Sequence, residues 1–437
     1  MSYKKTNILL FVALLFILSL CCSSCSKEHE RHEDNEYDSS NSAEIIEDNE
    51  VVVTKVGNDS SIPSYMTSAK TSHGIYTLAE WPIESFSTTS PWIHCGNIVY
   101  VDYETGQKIY LCNNPGCSHN TEECQSYIKY PGSCTLFVNM EESKLYCMAY
   151  GAENGEIFSE DDYGRIYEMN MDGTERRELT VLNPNQCFSM QDAVFSSKDK
   201  LFVGLFETDS VTQKTDHILV SIDIKSGVLN EVYRLSVSDV LLQMDKDNEI
   251  VIQSLDSSGV HVREQYLQTA KSNLLFESTE ISPLVVNDNI ITCKMDGTSA
   301  IVTAQNYKTQ AQKVITIEEV YTNSPLMMFC FVDGKIHLSY LTEKQEVKEL
   351  YIDLESGSVW NKELTYDSYG EKRYIQIVSC LNSRYLVIGN YKEKEVTITD
   401  ENGIARKYNI LSPQLAFIDK EDYWQNIADY EWIEDKT

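Results

Sequence analysis

Hydrophobic and polar residues alternate in short runs along most of the chain, between Trp92 and Tyr430. The runs are rich in Val, Ile, Tyr, Phe and Leu, and turn-forming pairs such as Asp-Gly, Ser-Gly and Asn-Gly separate them. Few stretches have the longer period of an amphipathic helix. Alternation with a period of two between turn pairs is typical of half-buried β-strands. The pattern therefore predicts an all-β fold.

The predicted strands join into hairpins. Residues 164–171 turn at Asp172 and Gly173 into 175–179, and glycine suits this turn because it adopts positive φ without steric cost. Similar hairpins turn at 104–106, 225–227 and 354–357. The units recur at roughly 35 to 50 residues, which is the spacing of four-stranded propeller blades. We therefore predict a β-propeller.

Counting these units predicts seven blades. They lie near residues 92–130, 134–180, 187–234, 239–277, 283–318, 326–365 and 374–411. Six or eight blades and a pair of β-sandwiches are the alternatives. Residues 415–418 and 74–78 are expected to complete a shared blade that closes the ring, since closure removes exposed sheet edges.

Residues 166–180, with the sequence IYEMNMDGTERRELT, resemble the blade-ending hairpin of TolB-like propellers and of the Tyr-Trp-Thr-Asp repeat family. The Trp-Ser-Pro-Asp-Gly element typical of TolB repeats is absent from the chain. The resemblance implies the propeller architecture and none of TolB's partners.

The N-terminus has the pattern of an export signal. Lys4 and Lys5 precede an uncharged run over residues 8–22. The run is shorter than the roughly 20 apolar residues that span a bilayer, and small residues follow it at once. We therefore predict a signal peptide over residues 1–24, with an uncleaved helix and a plain secretory signal as the alternatives.

Residues 18–25, LSLCCSSC, resemble the lipobox of bacterial lipoproteins, in which small residues precede the lipidated cysteine. Cys25 follows two serines, whereas Cys22 and Cys21 lack small residues before them. The resemblance implies that Cys25 carries acyl chains such as palmitate. Two chains hold a protein at a membrane where one binds only marginally, so the chain is expected at the outer face of the cell membrane.

Residues 25–63 are crowded with Glu, Asp, Ser and Asn and contain one aromatic residue, Tyr37. Such a segment cannot bury enough apolar surface to offset its ordering entropy. We predict a disordered acidic linker here and a propeller domain over 64–437. His29 and His32 suggest metal binding in the linker, but a solvated linker is the preferred interpretation.

A cysteine-rich loop lies at residues 112–134. It contains four candidate ligands of a structural zinc ion, Cys112, Cys117, His119 and Cys124, with Cys134 at its end. Closed zinc sites are commonly built from three cysteines and one histidine. Two disulfides among the four cysteines are the main alternative, since exported domains lie where thiols oxidise.

The other cysteines are scattered singly and are expected to be reduced core residues. They are Cys95, Cys147, Cys187, Cys293, Cys330 and Cys380. This distribution fits an organism that leaves exported thiols reduced. The leader, the linker and the cysteine loop together resemble uncharacterised lipoproteins of clostridia-like bacteria, a family without an established activity.

Established catalytic motifs are missing from the sequence, including Gly-x-Ser-x-Gly, His-Glu-x-x-His, the Walker loop and the dinucleotide fingerprint. His73, His94, His217, His261 and His337 are isolated, so structural or surface roles are expected. The acidic residues 160–162 suggest calcium or a glycosidase carboxylate pair, with surface solvation as the default.

The net charge of −31 opposes nucleic acid and anionic lipid head groups as partners. We predict a non-catalytic binding or scaffolding propeller at the cell surface, with an unknown protein, peptide or glycan ligand. The alternative is an extracellular glycan hydrolase or lyase that uses carboxylates in the propeller channel.

Overall fold

The computed structural model describes residues 54–56, 68–79, 95–117, 119, 123–129, 134–140, 142–151, 163–245, 249–269, 271–279, 281, 283–320, 322, 326–344, 346–368, 371–399 and 405–433. These residues form seven sheets of four or more strands and one two-stranded hairpin. The strands of each sheet are antiparallel and, with few exceptions, consecutive in the chain. The prediction of an all-β, seven-bladed propeller is confirmed.

The strands of the first three blades are as follows. Blade 1 contains β2 (Ser68–Lys70), β3 (Gly74–Ala79), β4 (Cys95–Asp102), β5 (Lys108–Tyr110) and β6 (Tyr127–Lys129). Blade 2 contains β7 (Cys134–Asn139), β8 (Lys144–Ala149), β9 (Arg165–Asn170) and β10 (Arg177–Val181). Blade 3 contains β1 (Thr54–Val56), β11 (Gln186–Phe188), β12 (Val194–Ser196), β13 (Lys200–Thr208), β14 (Thr215–Asp223) and β15 (Leu229–Leu235).

Blades 4 to 7 complete the ring. Blade 4 contains β16 (Asp239–Met244), β17 (Glu249–Asp256), β18 (Gly259–Tyr266) and β19 (Ser272–Ser278). Blade 5 contains β20 (Leu284–Val286), β21 (Asn289–Asp296), β22 (Ser299–Asn306) and β23 (Gln312–Ile317). Blade 6 contains β24 (Met327–Val332), β25 (Lys335–Leu341), β26 (Val347–Asp353) and β27 (Val359–Asn361). The hairpin of β28 (Thr365–Ser368) and β29 (Glu371–Tyr374) precedes blade 7. Blade 7 contains β30 (Gln376–Cys380), β31 (Arg384–Thr399), β32 (Ala405–Asp419) and β33 (Glu431–Trp432). Helix α1 (Lys420–Trp424) lies between its last two strands.

The first strands of the blades lie at the centre of the ring. β7 and β12 are almost wholly buried, whereas nearly all residues of the last strands β15 and β19 are half-buried or exposed. First strands of neighbouring blades also contact each other, as β2 does β7 and β20 does β24. The hydrophobic core fills the spaces between blades, for example where Phe137 and Tyr146 of blade 2 pack with Leu201 and Ile218 of blade 3.

The ring closes without a shared blade, so the prediction that residues 74–78 and 415–418 lie in one sheet is wrong. Residues 74–78 belong to β3 of blade 1, and residues 415–418 belong to β32 of blade 7. The two blades meet through apolar packing of Ile75 against Leu386 and Phe417. Side-chain packing between complete sheets therefore closes the ring in place of strand exchange.

One motif recurs in four turns, those of β4–β5, β14–β15, β22–β23 and β26–β27. An Asp or Asn side chain accepts hydrogen bonds from the N–H groups two and three residues later, and residue i+3 is Ser or Thr. The acceptors are Asp102, Asp223, Asn306 and Asp353. Residue i+4 has positive φ in each turn and is glycine in three of them. Sequence analysis identified three of these turns singly and missed the common spacing.

The boundaries of the first and last blades differ from the prediction. Blade 1 begins at β2 and not near residue 92, and blade 7 extends to β33 and not to residue 411. The predicted linker also contributes a strand, because β1 lies within residues 25–63 and pairs with β12. Its three residues are too few to produce a recognisable alternating pattern.

Candidate metal centre

The cysteine-rich loop interrupts the outermost strand of blade 1. β5 and β6 both pair with the same side of β4, at consecutive positions. Residues 111–126 connect these two strands in the sequence. At the neck of this loop, the N–H of Leu111 donates to the Ile98 carbonyl (3.0 Å), and the N–H of Ile98 donates to the Ser126 carbonyl (2.8 Å). The blade therefore fixes both ends of the loop.

The structure brings the four predicted metal ligands together. One ligand atom from each of Cys112, Cys117, His119 and Cys124 lies within 4.8 Å of the others. The Nδ1 atom of His119 is 3.3 Å from the Cys124 sulfur. Cys124 is buried and the other three are half-buried. Metal occupancy of this Cys3His cluster stays a prediction.

The donor set and its spacing can hold a metal ion. Ligand atoms about 2.3 Å from a shared tetrahedral ion lie about 3.8 Å from one another. The observed limit of 4.8 Å allows that arrangement after a contraction of about one ångström or less. Three thiolates and one imidazole suit zinc among the common metals, whereas Mg²⁺ and Ca²⁺ prefer oxygen ligands.

Local backbone geometry turns the loop back on itself. Gly116 has a φ of 75°, and the N–H of Cys117 donates to the Asn114 carbonyl at 3.2 Å. His119 also has positive φ, at 57°, which is uncommon for a residue with a side chain. The tight turn at Gly116 and the unusual His119 backbone direct two ligands to one point.

A buried hydrogen-bond chain supports the cluster from the blade. The Asn97 amide donates from Nδ2 to the His119 carbonyl at 2.7 Å, and its Oδ1 accepts from the Ser126 hydroxyl at 3.1 Å. That hydroxyl lies 3.0 Å from the Cys124 sulfur. The Tyr110 ring stacks on the His119 imidazole at 4.3 Å. Sequence analysis missed Asn97, because its role depends on the pairing of β4 with β6.

The electrostatic environment differs among the ligands. Burial acts to raise the pKa of Cys112, but hydrogen bonds from the N–H groups of Asn114 and Gln125 bring it below its usual value. Burial raises the pKa of Cys124 to about 11. Burial also lowers the pKa of His119, so its imidazole is neutral at pH 7 and has a lone pair for a metal. Cys112 is therefore more readily deprotonated than Cys124.

The fifth cysteine of the loop region lies elsewhere. Cys134 is in β7 of blade 2, where a hydrogen bond with Cys147 and burial raise its pKa well above the usual value. No disulfide links the eight cysteines whose side chains the structure describes. Among these residues the predicted disulfide alternative is therefore not found.

Three of the histidines that sequence analysis considered isolated have acidic partners. His217 is buried, and its Nε2 lies 2.6 Å from Asp192 Oδ2. His337 Nε2 lies 2.9 Å from the Glu349 carboxylate. His261 makes a longer contact with an aspartate in an exposed turn. The first two pairs lie inside the blades, so a structural role fits them.

Asp192 also links blades 3 and 4. Its Oδ1 accepts a hydrogen bond from the N–H of Leu241 at 2.7 Å. The N–H of Ala193 donates in turn to the Leu241 carbonyl at 2.9 Å. Asp192 lies between β11 and β12, where the first strand of blade 3 leaves and rejoins the sheet. The carboxylate therefore holds two blades together from within the core.

Several predicted features lie outside the described residues. They are the lipidation site Cys25 with Cys21 and Cys22, the histidines His29, His32 and His94, and the acidic residues 160–162. The side chains of Cys95 and Cys330 are also outside the description. In the part of the chain that is described, no helix is both long enough and apolar enough to cross a bilayer.

Carboxylates with clearly shifted pKa values are shifted in one direction. For all nine such side chains among the described residues, the pKa lies below the usual value. They are Asp102, Asp172, Asp209, Asp216, Asp223, Asp256, Asp333, Glu349 and Asp353. Backbone or hydroxyl donors and neighbouring cations stabilise their ionised forms. A glycosidase general acid needs the opposite shift.

No protein-family model matches the chain. No curated protein matches it either. Solved structures give distant similarities. A prolyl endopeptidase has 11% identity and a TM-score of 0.46, with 85% of this chain and 55% of that one covered. The chain thus spans about half the length of that enzyme.

Two further structures are similar at the same level. The oligogalacturonate lyase of Vibrio parahaemolyticus has 10% identity and a TM-score of 0.40, with 84% of this chain and 98% of that one covered. The β-propeller domain of the trilobed protease from Pyrococcus furiosus has 11% identity and a TM-score of 0.33, with 56% and 70% covered. The propeller assignment rests on the seven sheets described above.

Proposed function

We propose that this chain is a lipoprotein held at the outer face of the cell membrane through Cys25, and that its propeller is a non-catalytic binding or scaffolding domain. In this proposal, one structural zinc ion fixes the cysteine-rich loop of blade 1. The single observation that carries the zinc proposal is the convergence of three thiols and one imidazole within 4.8 Å.

The zinc ion would be bound by Cys112, Cys117, His119 and Cys124. Four protein ligands leave no open position for a substrate water, so the ion would stabilise the loop and take no part in catalysis. The loop has little apolar material of its own, since its small cluster consists of buried Cys124 and Tyr127 with Cys112 and Cys117 packed against them. A metal bond would thus replace a hydrophobic core.

The nine carboxylates whose pKa values are lowered suit a structural role better than that of the general acid in glycan hydrolysis. A hydrolase needs one carboxylic acid that stays protonated near neutral pH, and burial without a partner is the usual way to obtain it. Each shifted carboxylate here has donors or cations beside it that favour the ionised form. Such groups are suited to fixing turns and blade contacts.

The zinc proposal is tested by metal analysis of the purified full-length chain. We expect one zinc ion per chain, and a loss of most of it in Cys117→Ser. The matched control is Cys187→Ser, which removes a half-buried cysteine of blade 3 outside the cluster. Equal zinc content in the two variants, or none in the wild type, would exclude the site.

The anchoring proposal is tested by fractionating cells that express the chain. We expect the wild type in the membrane fraction, and release of Cys25→Ala into the soluble extracytoplasmic fraction. Cys21→Ala is the matched control, because it changes a neighbouring cysteine that lacks the small preceding residues. Membrane retention of Cys25→Ala would contradict lipidation at this position.

A further inference from the structure

A strand from the predicted linker occupies the inner edge of blade 3. In β1, Thr54 pairs with Ser196, Lys55 with Phe195 and Val56 with Val194, in antiparallel register. β1 precedes blade 1 in the chain but joins the third sheet, on the side of β12 that faces the centre of the ring. It also contacts β16, the first strand of blade 4. The edge of β12 therefore accepts an added strand.

The added strand places a cationic side chain at an acidic cavity. The cavity has a volume of about 530 Å³ and lies beside Lys55 and Phe195. Four carboxylates and one further ammonium group also line it, those of Asp245, Glu249, Glu264, Asp288 and Lys308. With four acids and two lysines, the wall has a net negative formal charge. Such a wall attracts a cation on the strand that docks beside it.

Hydrogen bonds and an ion pair fix the acidic wall. The Tyr307 hydroxyl lies 2.9 Å from Asp288 Oδ1 and 3.0 Å from Gln243 Oε1. Lys308 Nζ lies 3.1 Å from Asp245 Oδ2 and 3.4 Å from Asp288 Oδ1. Tyr307 and Lys308 lie in the turn between β22 and β23, and through them these contacts link the end of β16 and the turn after it in blade 4 to the first hairpin turn of blade 5. Apart from Lys55, the described residues that line the cavity belong to blades 3, 4 and 5.

We propose that the inner edge of β12 and this cavity form a docking site for an extended polypeptide with a lysine or arginine side chain, and that β1 fills the site within the chain. The proposal rests on the binding function proposed above and specifies its partner. Main-chain hydrogen bonds to a sheet edge provide affinity, and a pocket beside the edge selects the side chain. Here the acidic cavity selects the cation.

Exchange of β1 for a partner is feasible because the strand is short. Its three residues form few ladder hydrogen bonds, and short edge elements open at low free-energy cost. While β1 is docked, a competing peptide binds only to the open fraction of molecules. An edge closed in nine of ten molecules weakens the apparent affinity about tenfold.

The probe for this site is a fluorescent peptide with the sequence of residues 50–58, added to the full-length protein. Thr54→Pro/Val56→Pro prevents pairing of β1, because proline cannot donate to the ladder. We expect the peptide to bind this variant at least about tenfold more tightly than the wild type. A peptide with Glu in place of the lysine should bind neither protein measurably.

Two protein variants test the role of the cavity wall in the same titration. Glu249→Gln, introduced into the proline variant, should weaken peptide binding several-fold. Glu318→Gln is the matched control, because it changes an acid of blade 5 whose contact is with Ser299 and not with the cavity. Equal binding by the two variants, or equal binding of the Lys and Glu peptides, would overturn cation selection.

Amide hydrogen exchange on the full chain covers the case in which the proline variant does not fold. Lys55→Glu should accelerate exchange at residues 194–196 and leave the outer strands of blade 3 unchanged. Unchanged exchange at 194–196 would show that the charge of Lys55 does not hold β1 in place and would overturn the proposal. Neither this result nor absent peptide binding affects the zinc and anchoring tests, which do not involve β1.

Discussion

Gly204 of blade 3 lies where an added methyl group would displace the Asp192 carboxylate. A Cβ atom built on Gly204 would lie 1.7 Å from Asp192 Oδ2, whereas real Cβ atoms essentially never come within 3.0 Å of another heavy atom. In Gly204→Ala the two atoms must separate by a further 1.3 Å, which is 3.0 minus 1.7. The movement would break the 2.6 Å hydrogen bond to His217 Nε2.

The expected loss of stability follows from the burial of both partners. The Asp192 and His217 side chains are 1% and 0% exposed, so neither can turn to water for a new partner. Leaving such groups unpaired costs about 2–5 kcal/mol. With an unfolding entropy of about 2.1 cal/mol/K per residue over residues 49–437, the melting temperature should fall by roughly 2–6 °C.

Thermal unfolding of three variants and one control variant tests this reasoning. Gly204→Ala and Asp192→Ala should each lower the melting temperature. The double variant should be no less stable than Asp192→Ala, because the methyl group added at position 204 then occupies the space left by the Asp192 carboxylate. Gly389→Ala is the control, since its nearest neighbour, at 3.0 Å, is the half-exposed ring of Trp432, which can move. A wild-type melting temperature for Gly204→Ala, or fully additive losses, would refute the account.

Three further predictions concern the metal centre, pH and ring closure. Asn97→Ala removes the hydrogen bond to the His119 carbonyl and should weaken zinc binding about 10- to 100-fold in a chelator competition, whereas unchanged affinity would exclude this support. Burial lowers the pKa of His337 from 6.5, so the folded state favours the neutral imidazole, and the stability that this imidazole contributes is present above pH 6.5 and lost as pH falls. Below pH 6.5, the melting temperature of His337→Gln should therefore decline less steeply with falling pH than that of the wild type. Equal slopes for the two proteins would contradict this. Arg384 donates a hydrogen bond to the Tyr103 carbonyl across the junction of blades 7 and 1, so Arg384→Ala should lower the free energy of unfolding by about 1.5–3 kcal/mol. The control Arg234→Ala, which changes an exposed arginine, should lower it by less than about 1 kcal/mol. Equal losses in the two variants would argue that Arg384 does not help to close the ring.

Local sequence patterns were sufficient for the blades and for the composition of the Cys3His cluster. A turn such as Asp172-Gly173 is determined by neighbouring residues, so its hairpin is readable from the sequence alone. The four candidate ligands lie in one short loop, and the short chain between them keeps them close. Cys134 was placed with them by proximity in sequence, but the register of β7 and β8 directs it to Cys147.

Contacts that depend on strand register or on distant segments could not be predicted. Asp192 and His217 meet because β11 and β12, on either side of Asp192, pair with β13, which in turn pairs with β14. The docking of β1 joins an acidic segment to a blade more than a hundred residues later in the chain. The shared-blade prediction failed for a related reason, because a closing strand and a strand that completes its own blade have the same alternating pattern.

X-ray absorption at the zinc edge of the purified chain tests the central claim, a structural zinc site on a propeller blade, most directly. We predict a four-coordinate ion with three sulfur ligands at about 2.3 Å and one nitrogen ligand at about 2.0 Å. Oxygen in the first coordination sphere, fewer than three sulfur ligands, or a chain purified with disulfides among Cys112, Cys117 and Cys124 would contradict it.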